Sequence, residues 1–493
     1  MTPSLQWIAT GSLLHIICFL LVCLYCLRHR KHPSSTILWI FLTWSFPVFG
    51  AILFVTFGVD RVTPRGQIKR ERNESLLRAR KNTAADILPL AYWQADKDME
   101  LDENKVHIHR LNRTMNALTA DFPFLAGNQI TPLIGGDEAF PAMLQAIREA
   151  KHHIHLQCFI IRNDKIAKTF FDALAERARQ GVHVRLLFDR FGSTHAILSG
   201  FFARYRNIPH FEIQGWTQVN LFKRRFQVNL RNHRKVLIID GKMGFFGGIN
   251  LDQVNLSDTA REAHRDYHFR TTGSIVQQLQ YSFLQDWYFM TNESPKKFLQ
   301  EEFFPAQERT GRTPARLVPS GPAADEHAIE DLFFTLTATA NEQILLVTPY
   351  FVPSPALIAA LRAAALRGVD VHLILPKKNN HFSAGWAAKA YFAELLQSGV
   401  RIFLREPPFI HAKAMIVDAE IATVGTANWD LRSLRLNYET NLLAFDSVFS
   451  DELKQYVIED EASSTEIHLA GWESRPQWHR LLENACALLS PVL

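Results

Sequence analysis

The chain has 493 residues, 47% apolar and 21% charged, and its 54 Lys and Arg against 49 Asp and Glu give a formal net charge of +5. That length implies two or three domains with a substantial core, and the apolar fraction excludes a disordered chain. The five cysteines form no even framework, and the one C-x-x-C, Cys23-Leu24-Tyr25-Cys26, lies inside an apolar run and not on a polar loop, which disfavours a disulfide scaffold and a structural zinc site.

Two uncharged runs of 23 residues open the chain, Leu5 to Leu27 and Ile37 to Val59. Each is long enough, at about 1.5 Å per residue, to cross a hydrocarbon core of about 30 Å. The first lacks a basic n-region and leads into Arg28-His29-Arg30-Lys31-His32 and the second run, so it reads as a retained anchor, not a signal peptide. A transmembrane hairpin over residues 1–60 is expected, with Pro47 tolerable in the second span. Arg28, Arg30 and Lys31 sit in the short loop; Arg61, Arg65, Lys69, Arg70, Arg72 and Arg78 follow the hairpin. This excess places the body on the cytoplasmic face by the positive-inside rule. Residues 61–125 read as a basic membrane-proximal linker, solvated or bound to anionic headgroups.

The body repeats one plan. DEAFPAMLQAIREAKHHI runs into the apolar HLQCFII, as DEHAIEDLFFTLTATANEQI runs into LLVTPYF, and ARQGVHVRLLFD parallels ALRGVDVHLILP. Helix, glycine turn and β-branched strand recur in both. The expected fold class is α/β: two similar lobes, 126–300 and 317–493, related by a pseudo-two-fold axis, with a link at 301–316 and a mostly parallel or mixed sheet. His152, His153 and His155 read as a surface strand end, not as metal ligands. A C-terminal helix with Trp478, Leu481, Leu482, Ala485, Leu488 and Leu489 on one stripe either caps the core or lies on a bilayer.

One half contains His233-Arg234-Lys235 with Asp240 and, further on, Gly247, Asn250 and Asp252. The other contains His411-Ala412-Lys413 with Asp418, Gly425, Asn428 and Asp430, every pair offset by the same 178 residues (411 − 233). A duplicated H-x-K-x4-D in fixed register with G-x-x-N is not a chance match. His and Lys at i and i+2 of an extended segment share a face, so two copies place two imidazoles and two ammonium groups about one small site. Such a site suits a phosphodiester and needs no metal or other cofactor. The lysines, with the amides of Asn250 and Asn428, bind the phosphate; one histidine attacks phosphorus and the other, protonated, serves the leaving alkoxide. The candidate catalytic set is His233, Lys235, Asp240, His411, Lys413 and Asp418, within which Asp240 and Asp418, at the far strand ends, read as structural ion-pair or turn residues. Glu439, 28 residues after His411, and Asp266, 33 after His233, are candidate orienters of the histidine in their own half.

These motifs resemble the phospholipase D superfamily. Pro319-Ser320-Gly321-Pro322, Thr348-Pro349-Tyr350-Phe351, RGVDVHLILPKKNN and GTANWDLRSLRLNYE, after two membrane segments, resemble bacterial cardiolipin synthases within it. The resemblance implies a bacterial inner-membrane phosphatidyltransferase that forms a covalent phosphatidyl-histidine from phosphatidylglycerol, releases glycerol and passes the lipid to a second phosphatidylglycerol. It implies His233 as nucleophile and His411 as acid, then base. His264, Trp429 and Glu406-Pro407-Pro408 depart from the expected pattern and bear on the acceptor pocket. A hydrolase, or a transferase with another donor or alcohol, shares these motifs. A nuclease is disfavoured by the absence of a long basic, aromatic-interleaved groove, so nucleic acid is not an expected partner. The intact His and Lys pairs oppose a non-catalytic membrane scaffold.

Overall fold

A computed structural model describes residues 3–29, 33–46, 48–58, 63–83, 106–216, 230–259, 263–322 and 327–490. They fall into two units, Met1–Arg65 and Gly66–Leu493. In the first, α1 (Pro3–Arg28) is the single helix among the described residues that is long and apolar enough to cross a membrane. The second apolar run does not form one continuous helix. It gives α2 (Pro33–Ser45), then α3 (Phe49–Leu53) running into a π-turn at Phe54–Gly58. Pro47 stands between the pieces, and a proline removes an N–H and clashes with the carbonyl four residues back. Val22 and Cys26 of α1 pack against Phe54, while Leu20, Leu21 and Leu24 face outward.

In the second unit the repeat becomes one sheet. Lobe 1 supplies β1 (Leu125–Ile134), β2 (His153–Cys158), β3 (His183–Asp189), β4 (Phe211–Trp216), β5 (Val236–Ile239), β6 (Met243–Gly247) and β7 (Tyr267–Thr272). Lobe 2 supplies β8 (Thr313–Ser320), β9 (Gln343–Val347), β10 (Asp370–Pro376), β11 (Arg401–Arg405), β12 (Ala414–Val417), β13 (Ile421–Gly425), β14 (Asn437–Phe445) and β15 (Ser464–Ile467). The order is β15-β11-β10-β9-β12-β13-β14-β8-β1-β7-β6-β5-β2-β3-β4. It reads the same outward from the β1–β8 seam in either direction until β15. That seam is antiparallel, with Leu125 opposite Ala315. Each lobe is mixed: β2, β3 and β4 run parallel, as do β9, β10 and β11, and the strands nearer the seam are antiparallel.

Each lobe has its own core beneath its amphipathic helices. A third core spans both, where the helices Ile275–Thr291 and Ser447–Ala462 cover one face of the central strands. The glycine turns recur as Gly181 (φ +93°) and Gly368 (φ +94°), a left-handed conformation that favours glycine.

Within 61–125, the helices Thr63–Thr83 and Val106–Leu118 bury Leu76, Leu111 and Met115 in the body's cores. Among the described basic residues there, Lys69 is buried against Asp286 at 3.0 Å, Arg72 donates to the Phe289 carbonyl, and Arg70 pairs with Glu74. The C-terminal helix Gln477–Ala487 divides its stripe. Cys486 and Leu482 pack with Val352 and Ala387, while Trp478, Leu481 and Leu488 stay exposed.

The histidines of β2 are not at the surface. His153 and His155 are fully buried and share Gln280, because β2 is an interior strand whose second face lies under the helix Ile275–Thr291. Burial pushes His153 down to about 3, His268 to about 4 and His155 well below its ordinary value. Their folded-state pKa values lie below those of the unfolded chain, so acid protonates the unfolded state first. These histidines therefore cost no stability above about pH 6.5, and stability is lost as pH falls toward the folded values, by about 1.4 kcal/mol per unit for each such histidine. Thermal melts from pH 7 to pH 5 are expected to show a steady fall in Tm; a flat profile contradicts this.

Candidate active site

Both H-x-K segments lie just before a core strand. His233-Arg234-Lys235 leads into β5 and His411-Ala412-Lys413 into β12, whose VLII and AMIV side chains are buried. Each segment leaves its own lobe before it reaches that strand. Arg231–Asn232 pairs in parallel with Asn437–Tyr438, and Phe409–Ile410 pairs in parallel with His264–Arg265. The next residues in these registers are His233 opposite Glu439 and His411 opposite Asp266.

The orienting pairs consequently form between lobes and not within them as the sequence spacing suggested. His233 Nδ1 lies 2.8 Å from Glu439 Oε2, and His411 Nδ1 lies 2.7 Å from Asp266 Oδ2. A carboxylate only accepts, so each Nδ1 carries the proton and, in the neutral ring, Nε2 keeps its lone pair. Glu439 is held further by the Thr426 hydroxyl (2.6 Å) and the Asn437 amide (3.1 Å). Asp266 is held by the Tyr267 N–H (2.8 Å), and at the position matching Thr426 stands Gly248, where a Cβ would lie 2.0 Å from Asp266 Oδ1. The two carboxylates thus need different neighbours, which the motif comparison did not reveal.

Burial lowers His233, with Glu439 opposing and Lys235 adding to the shift. Burial and Lys413 bring His411 down to about 3 against the pull of Asp266. Burial alone would raise the carboxyls, but His233 and Lys235 hold Glu439 below its usual range, and His411 and Lys413 do the same for Asp266. The lysines are buried too, and burial lowers Lys235 to about 8 and Lys413 to about 7. Lys235 Nζ donates to the His233 carbonyl at 2.7 Å, and Lys413 Nζ donates to the His411 carbonyl. Each ammonium keeps two further N–H groups.

The cleft between the motifs has a volume of about 1430 Å³ and is lined by His233, His411, Asn250 and Asn428, among others. The two asparagines differ. Asn250 Oδ1 accepts the Ile160 N–H at 3.0 Å and its Nδ2 takes no partner among the described residues, whereas Asn428 Nδ2 is committed to Ser433 Oγ at 3.2 Å. His264 stacks on His411 (ring centroids 5.5 Å apart), with Tyr350 and Phe409 beside it, while Phe159 meets His233 edge-on. Trp429, expected to shape the acceptor pocket, is instead a core residue stacked on Phe333. Glu406 pairs with exposed Lys377, and Pro407 lines the cleft.

Asp240 and Asp418 lie apart from the reacting groups and form no ion pair among the described residues. Asp240 accepts the N–H groups of Lys151, His152 and His153, and Asp418 those of Asn341, Glu342 and Gln343, each from a residue with positive φ. Both are turn braces holding a helix–strand junction. Asp240→Ala and Asp418→Ala are each expected to cost about 1–3 kcal/mol of stability, read as a lower denaturation midpoint.

Arg234, unremarked in the motif, is a keystone. Its guanidinium donates to Asp286 Oδ2 (2.9 Å), Ser282 Oγ (3.1 Å) and the Glu439 carbonyl (3.1 Å). Asp286 also accepts from Asn232 and Gln157 and faces Lys69, and Arg234 and Lys69 hold it below its ordinary value despite burial. The position matching Arg234 in lobe 2 is Ala412.

A protein-family profile described as "Cardiolipin synthase, PLD-like domain" matches residues 143–287 and 334–460, and one described as "Phospholipase_D-nuclease N-terminal" matches 14–58. The chain is 35% identical over 488 residues to cardiolipin synthase 2 of Bacillus anthracis, covering 96% of this chain and 90% of that one. It is 33% identical over 485 residues to the major cardiolipin synthase ClsA of Bacillus subtilis, covering 98% of each. The crystal structure of phosphatidylserine synthase from Haemophilus influenzae superposes with a TM-score of 0.60 at 17% identity, over 78% of this chain and 99% of that one, a likeness of fold. With its duplicated histidine–lysine site closed across one continuous sheet, and relatives matched over nearly its full length, the chain belongs to the cardiolipin synthases, phosphatidyltransferases of the phospholipase D superfamily.

Proposed function

We propose that this enzyme forms cardiolipin and glycerol from two phosphatidylglycerols, through a phosphatidyl group carried on His233, at a bacterial inner membrane to which its N-terminal segment anchors it, with the catalytic body on the cytoplasmic face. The cross-lobe His–carboxylate pairs carry the reading, because they leave two Nε2 atoms free to address one phosphorus from the two lobes. His233 Nε2 attacks the donor phosphorus and the bond to the glycerol oxygen breaks, with protonated His411 giving that oxygen its proton. The acceptor hydroxyl then yields its proton to His411 and attacks phosphorus, which breaks the P–N bond and restores His233. His411 by itself is neutral at about pH 7, and a diester anion beside it favours the protonated form. Lys235, Lys413 and the free amide of Asn250 stabilise charge on the phosphate oxygens.

Exposed Phe382, next to His381 at the cleft, and exposed Trp478 and Leu481 on the adjoining C-terminal helix suit contact with a bilayer. The test is product analysis: purified enzyme with phosphatidylglycerol in detergent is expected to give cardiolipin and glycerol in equal amounts by mass spectrometry. Phosphatidic acid without cardiolipin would identify a hydrolase.

A further inference from the structure

The centre of the cleft is nearly symmetric, but its surroundings are not. Two residues before His233 lies Arg231, more than nine-tenths buried, and the residue at the same offset before His411 is Phe409. Four residues after Asn428 lies Arg432, where lobe 1 has Val254. All four line the cleft, so the pair Arg231 and Arg432 is cationic where the related pair, Phe409 and Val254, is apolar. Arg231 stacks over the Phe191 ring at 3.3 Å and makes no hydrogen bond or ion pair among the described residues. Asp189, the carboxylate that acts on it, is already taken by the N–H groups of Phe191, Gly192 and Asn232. Arg432 adds positive potential to Arg231 instead of relieving it. A buried guanidinium with unspent donors, open to a cleft, calls for an anion.

The reaction supplies one. Only one phosphate reacts, yet the acceptor phosphatidylglycerol brings a second that must lie within one glycerol of the reacting phosphorus. Arg231 and His233 are two extended residues apart, about 6.6 Å along the chain, and project to the same side. We propose that Arg231, supported by Arg432, forms a second anion subsite that holds the unreacting phosphodiester of the acceptor lipid. This rests on the phosphatidylglycerol-acceptor reading above.

The experiment compares two acceptors on the full-length enzyme in detergent: phosphatidylglycerol, read as cardiolipin, and isotopic glycerol, read as label entering phosphatidylglycerol by the same donor half-reaction. Arg231→Gln is expected to lower the ratio of cardiolipin formation to glycerol exchange at least tenfold, with Arg231→Lys partly restoring it. An unchanged ratio, including equal loss of both, overturns the subsite. Wild-type enzyme provides a second reading independent of any variant's folding: glycerophosphoglycerol is expected to act as acceptor with a KM at least tenfold below that of glycerol, and equal KM values overturn the proposal. Wild-type exchange without any cardiolipin would instead overturn the function reading itself.

Discussion

Glu439→Gln is expected to lower phosphatidyl transfer by about 10³- to 10⁴-fold while leaving the protein folded. Its carboxylate fixes His233 with Nδ1 protonated, and in the mechanism proposed above its charge stabilises the cation formed when Nε2 bonds to phosphorus. Glutamine keeps the size but removes the charge, and it offers an amide that can face the ring with the wrong group, which in a comparable triad costs about four orders of magnitude. The Thr426 and Asn437 contacts remain to hold the side chain in place, so the loss is chemical. The lobe-crossing pairing adds a sharper consequence. Residues acting as one unit are non-additive, so Glu439→Gln added to His233→Ala is expected to cost little more. Added to Asp266→Asn, which touches the other histidine, it is expected to cost substantially more. Steady-state rates of the three single and two double variants check this; coupling of Glu439 to His411 instead would contradict the geometry.

The second large effect is on stability. Asp286→Ala is expected to cost about 3–5 kcal/mol, because it leaves Arg234 and Lys69 buried without their counter-charge. Arg234 also holds the Glu439 carbonyl, so the loss loosens the catalytic segment as well as the core. Lys69→Met in the Asp286→Ala background removes one of the two stranded cations and is expected to recover part of the loss. Denaturant midpoints for the single and double variants measure it, and a double variant less stable than Asp286→Ala would contradict this account.

Much of the fold was legible because duplication leaves a fixed register. The 178-residue offset paired the two H-x-K segments, with His233, Lys235, His411 and Lys413, and the glycine turns at Gly181 and Gly368 marked equivalent helix ends. The partnership of His233 with Glu439 was not legible, since it depends on Arg231–Asn232 leaving lobe 1 to pair with Asn437–Tyr438, a tertiary register that no local pattern encodes. Sequence proximity, 33 residues from His233 to Asp266 and 28 from His411 to Glu439, pointed to the carboxylate of the same half, and it was the wrong one. Burial of His153 and His155 was hidden for a similar reason: alternation puts them on one face of β2, and only the position of the helix Ile275–Thr291 decides that this face is covered. Arg234 and Lys69 read as ordinary basic residues until Asp286, far along the chain, brings them together. The second apolar run shows the converse, where composition alone promised a continuous span and Pro47 was the one residue against it.

The mechanistic claim is that the histidine of lobe 1, backed by the carboxylate of lobe 2, carries the lipid. Its most direct measurement is peptide mapping by mass spectrometry of His411→Ala enzyme quenched after mixing with phosphatidylglycerol. A phosphatidyl adduct on the peptide containing His233 is expected, forming slowly without the proton of His411 and persisting because the base that activates the acceptor is gone; an adduct found on His411 in the matched His233→Ala enzyme, with none on His233, would contradict this.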